Sequence, residues 1–106
     1  MKQKEQNILR RIKDCVRQKS PDAEIILFGS RARGESNKDS DWDILILLRQ
    51  SIVNHSLERE YRDELYNIEL SIGQSVSALI FSKNEWENKH RVTPLFDNIQ
   101  REGINL

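Results

Sequence analysis

The sequence has one cysteine, no net charge and no long apolar run, and each shortage removes a class of protein. With Cys15 alone there is no internal disulfide, which fits a reducing compartment. Seventeen Lys and Arg against seventeen Asp and Glu give a formal charge of zero, so no overall field draws the chain to nucleic acid or anionic lipid. The longest strongly apolar run, Ile44 to Leu48, falls far short of the roughly eighteen residues that a bilayer span requires. The N-terminus is charged rather than apolar, which excludes an ordinary secretory signal. His55 and His90 stand far apart with no Cys or His at ligand spacing, so no zinc site is expected. Low-complexity stretches, linkers and internal repeats are also missing. A soluble cytoplasmic protein, with residues 1–106 forming one small domain, is the expectation.

What is present is an alternation of helical and extended patterns. Ile8, Leu9, Ile12, Cys15 and Val16 make a helical stripe over 6–18, with basic residues on the other face. Such a basic run is more often a solvated face than a nucleic-acid site, and it lacks the interleaved exposed aromatics that stack on bases. Ser20-Pro21-Asp22 turns the chain into a strand at 24–28. A second strand, 42–48, is nearly all apolar, as expected where both faces are covered. Leu57, Tyr61, Leu65, Ile68 and Ile72 predict an amphipathic helix over 56–72, stopped by Gly73. A third strand follows at 76–81. Ser82-Lys83-Asn84-Glu85 has capping-box form, and Thr93-Pro94 opens a last helix that Gly103 ends. The fold class is α/β, or α+β, with a sheet flanked by helices.

The chemistry gathers between the first two strands. Phe28 is followed by Gly29-Ser30-Arg31-Ala32-Arg33-Gly34, a polar loop over 35–40 that should be mobile without ligand, and Asp41-Trp42-Asp43. Residues two apart on a strand share a face, with Cα atoms roughly 6.5 Å apart at about 3.3 Å rise per residue. Asp41 and Asp43 can therefore converge on one divalent ion or a close pair. The Gly29-Ser30 turn offers backbone N–H groups, a hydroxyl and a helix start, which suit a phosphate. Arg31 and Arg33 are candidates for neutralising phosphate charge, balanced against an ordinary surface role.

This stretch resembles the signature of the DNA polymerase beta-like nucleotidyltransferase superfamily, an apolar residue with Gly-Ser, about ten residues, then Asp-apolar-Asp-apolar. Here it reads Phe28-Gly29-Ser30, ten residues from Arg31 to Ser40, then Asp41-Trp42-Asp43-Ile44. The Gly-Ser-Arg-Ala-Arg-Gly wording and the short chain are most similar to the minimal nucleotidyltransferases of prokaryotes. The resemblance implies a nucleotidyltransferase-type mixed β-sheet and Mg²⁺ (or Mn²⁺) on Asp41 and Asp43. It implies an NTP, by preference ATP, with its phosphates on Gly29, Ser30, Arg31 and Arg33, and transfer of a nucleoside monophosphate to a hydroxyl, with a protein as one possible acceptor. It also implies a partner, since such chains often serve as antitoxins beside a HEPN-domain protein.

One position departs from the family pattern. The third carboxylate usually found on a later strand is expected to be Ser77 here, a poor metal ligand and a feeble base. Glu64 and Glu69, on the preceding helix, are candidates to reach in instead. The alternative reading is therefore a weakened or inactive antitoxin that binds a HEPN-domain partner, or a module that senses nucleotide through ordering of the 35–40 loop.

Overall fold

The computed structural model describes all of residues 1–106. Helix α1 (Gln3–Lys19) carries the predicted stripe, burying Ile8, Leu9, Ile12 and Val16. Strand β1 (Glu24–Phe28) leads directly into the one-turn helix α2 (Gly29–Ala32). Strand β2 (Trp42–Leu48) is followed by helix α3 (His55–Ile72), capped by the Asn54 side chain and ended by Gly73 at φ 71°. A left-handed residue there costs glycine nothing, which is why the helix stops where the sequence says it does. Strand β3 (Val76–Ser82), the short helix α4 (Lys83–Asn88) and helix α5 (Pro94–Glu102) complete the expected set. Ser82 and Thr93 accept hydrogen bonds from the N–H groups of Glu85 and Phe96, the N-caps that the sequence predicted.

The sheet runs β3-β2-β1-β4, where β4 (Ile104–Asn105) is a two-residue strand that the sequence did not announce. Two residues are too few for any periodicity to register. β4 pairs antiparallel with Ile26 and Leu27, and Gly103 makes the approach possible. A Cβ on Gly103 would collide with the Ile99 carbonyl and the Ile26 side chain. β1 and β2 are antiparallel with Phe28 opposite Asp43, and β2 and β3 are parallel with Asp43 opposite Ser77.

Helices cover both faces, which explains the unbroken apolar character of β2. Trp42, Ile44, Ile46 and Leu48 join α1 and α3 in the main core. Leu45 and Leu47 face the other way and meet Trp86 and Ile99 from α4 and α5 in a second, smaller core. Alternation along the strand puts Asp43 in the row of Leu45 and Leu47, at the mouth end of the smaller core. Trp86 is a core anchor there, 2% exposed, with its ring 5.8 Å from Phe81 and 5.1 Å from Phe96.

Candidate active site

The site begins where β1 ends. Gly29 has φ +75°, and a Cβ at that position would run into the Asp43 carboxylate. Glycine is needed twice over, for the left-handed backbone and for the space the carboxylate fills. The turn then closes on itself, with Arg33 N–H donating to the Gly29 carbonyl at 3.1 Å and Glu35 N–H to the Ser30 carbonyl at 3.0 Å. Gly29 thus sits against the Asp43 carboxylate of β2.

Asp43 is half-buried and Asp41 exposed. Burial pushes the Asp43 carboxyl above its ordinary range, the Asp41 charge adds to the rise, and the Arg33 guanidinium partly offsets it. Asp41 lies just before β2, near enough for its charge to act on Asp43. A carboxylate strained by desolvation and a like charge is relieved by a bound cation, and a neighbouring pair of carboxylates suits a hard divalent ion. No third carboxylate, histidine or cysteine joins the pair. Residues 9–100 match the family described as "Nucleotidyltransferase domain".

The chain belongs to that nucleotidyltransferase family. It is also similar to the terminal uridylyltransferase cid1 of Schizosaccharomyces pombe (strain 972 / ATCC 24843), with 33% identity over 51 residues. That match covers 48% of this chain and 13% of the yeast protein, so the chain spans a small part of that relative's length. Two solved structures share the fold. One, a toxin-antitoxin with AMP-PNP, superposes with a TM-score of 0.63 at 20% identity, covering 91% of this chain and 69% of that one. The other, a mutant of the toxin-antitoxin MntA-HpeT, gives 0.62 at 21% identity, covering 92% and 69%.

Within this nucleotidyltransferase-family domain the two arginines part company. Arg33 is partly exposed and stays beside the turn, where it is bound by Glu35 and by Glu102 of α5. Arg31, weighed as a phosphate ligand or an ordinary surface residue, is instead buried, 6% exposed, and its guanidinium is engaged by the chain itself. It donates to the Ser40 carbonyl at 3.1 and 2.7 Å and to the Asn37 carbonyl at 3.4 Å. It also pairs with Glu5 at 3.4 Å and lies 4.1 Å over the Trp42 ring. These bonds fasten the 35–40 loop, which was expected to be loose. Asn37 and Ser40 add a local clasp, the Asn37 N–H donating to Ser40 Oγ at 3.0 Å.

The substitutes for a third carboxylate do not reach in. Glu69 accepts from the Val76 N–H at 2.8 Å, holding the start of β3. Glu64 accepts from the Cys15 thiol at 3.2 Å and pairs with Lys19. Burial first, and then the Glu64 hydrogen bond, push that thiol up to about 11, so it stays protonated and inert at neutral pH. Ser77 occupies the position beside Asp43 on β3. The residue that sequence reasoning missed is Glu102, whose carboxylate accepts from the Gly29 N–H at 3.3 Å and from Arg33 at 3.2 and 3.1 Å. Its only sequence signal was a carboxylate in the last turn of a helix, where the backbone dipole disfavours negative charge.

Proposed function

We propose that this nucleotidyltransferase moves a nucleoside monophosphate from a nucleoside triphosphate, by preference ATP, to a hydroxyl carried by a partner protein. The observation that supports the reading is the close approach of Gly29 to the Asp43 carboxylate, which sets the turn's backbone N–H groups beside a carboxylate. In this reading Gly29 N–H, the Ser30 hydroxyl and Arg33 hold phosphate oxygens, while Asp41 and Asp43 hold Mg²⁺ or Mn²⁺. Arg31 shapes the loop and touches no phosphate. A divalent ion on the two carboxylates would supply charge neutralisation and Lewis acidity for exchange at the α-phosphorus, with pyrophosphate as leaving group.

The decisive experiment is calorimetric titration with a non-hydrolysable ATP analogue, with and without Mg²⁺. Binding that requires Mg²⁺ and weakens by about a hundredfold or more in the Asp41→Asn/Asp43→Asn double variant is the expected result. Equal affinity in that variant would remove the metal assignment.

Ser77 favours a second reading. A serine cannot take the acceptor's proton as a carboxylate can, so turnover would be slow or would need the partner to complete the site. The chain would then act chiefly as an antitoxin that binds a HEPN-domain protein. The two structures that share its fold are toxin-antitoxins, which supports a protein partner in either reading. Measured transfer of a labelled nucleotide to a co-purified partner favours the first reading. Tight binding to that partner without transfer favours the second.

A further inference from the structure

The phosphate seat already has an internal occupant. The Glu102 carboxylate, seventy-three positions away in sequence, takes the N–H of Gly29 at 3.3 Å. The same carboxylate takes the Arg33 guanidinium through both oxygens, at 3.2 and 3.1 Å. Those are two of the three donors proposed to hold phosphate oxygens, and a carboxylate is the side-chain group that most nearly imitates one edge of a phosphate. Nothing in helix α5 asks for a charge at this place. Glu102 is its last residue, at the negative end of the backbone dipole, and its neighbour Arg101 turns instead to Asn98. The Glu102 side chain is 21% exposed, so solvent reaches it and an incoming anion can exchange for it without opening the core.

The geometry points to Glu102 as a competitor for the phosphate seat: an anion that binds Gly29 N–H and Arg33 must first displace this carboxylate. The inference rests on the nucleotide-binding reading of that turn and deepens it. Glu102 sets how strongly an anion must bind before the seat opens. An anion with several linked phosphates, which can engage Arg33, Ser30 and the turn together, overcomes the competitor where a single phosphate does not. The site would therefore favour triphosphates over monophosphates by exclusion as well as by contact.

The test uses inorganic tripolyphosphate without divalent metal, which isolates the anion seat from the Asp41/Asp43 pair. Glu102→Gln keeps the side-chain shape and removes the charge, and it relieves the helix end rather than straining it. It should tighten tripolyphosphate by roughly tenfold, about what one hydrogen bond to a charged group is worth. The Gly29 amide resonance should shift on the substitution, and shift further when tripolyphosphate is added. Unchanged or weaker binding in Glu102→Gln would overturn the inference and make Glu102 a positioning residue for Arg33. So would failure of both proteins to bind millimolar tripolyphosphate, because the turn would then be no anion seat. Failure of the parent reading looks different. If Mg²⁺-dependent nucleotide binding is absent while Glu102→Gln still gains tripolyphosphate, the metal pair has failed and the competitor stands.

Discussion

Asp43 is the residue where the proposed function works against the fold. Its carboxyl titrates above the ordinary range because it is half out of water and beside Asp41. In the window between the unfolded value and the raised folded value, the native state binds more protons than the unfolded chain, so stability falls as pH rises through that window. Above the window the full cost is present. Asp43→Asn, which carries no charge at any pH, should therefore melt higher than the wild type at neutral pH in metal-free buffer. The difference should shrink as pH drops into the carboxylate range. Mg²⁺ should raise the wild-type melting temperature and leave Asp43→Asn where it was. A variant no more stable than the wild type in chelator would show that the carboxylate pair carries no such strain. Functional carboxylates held at a cost to stability are a common pattern.

At the scale of elements, the stretch between β1 and β2 shows how a polar loop acquires order. The sequence made the loop legible as a connection, because 35–40 contains no apolar residue to bury. It did not make Arg31 legible as the strut. Arg31 and Arg33 differ only in which side of one helical turn they leave from, and no spacing rule distinguishes a guanidinium facing Trp42 from one facing Glu102. Arg31→Met preserves much of the packing over Trp42 and removes the donors. It should cost about 3 kcal/mol in urea unfolding, since carbonyls of Asn37 and Ser40 lose a charged partner and Glu5 is left unpaired. Amide exchange over 35–40 should accelerate by more than the global loss accounts for. If exchange rises equally everywhere, Arg31 stabilises the fold at large and not the loop.

For the whole molecule, the sheet has two cores of unequal size, and the sequence revealed the larger one better. The stripes of α1 and α3 are long enough for helical periodicity to fix their buried faces, whereas α4 and α5 are short and β4 gives no signal at all. From the sequence, Trp86, Leu95 and Phe96 suit a dimer, a partner or the core alike, and only the packing assigns them to the core. Trp86→Ala should cost about 3–5 kcal/mol, a large share of the roughly 5–15 kcal/mol expected for a domain of this size. Because α5 carries Glu102 to the turn, loosening that helix should also change tripolyphosphate affinity; Trp86→Phe, which keeps most of the packing, should not. Of the candidate site, the approach of Gly29 to Asp43 was legible because it follows from local geometry. Glu102 was not, because its role depends on how two ends of the chain meet. The pairing of Phe28 with Asp43 has one more consequence, for what kinds of length change the chain can absorb. A slip of one position in β2 would put Trp42 or Ile44 against Gly29 and turn the core row toward water, so alignment of the site is inherited from the burial of tryptophan and isoleucine. Residues added between Gly34 and Ser36, ahead of the Asn37 and Ser40 carbonyls that Arg31 holds, leave that alignment alone, whereas one residue added inside β2 removes fold and site together. Variation in this chain is thus free to lengthen the loop between its two signature elements while the strands on either side keep their count.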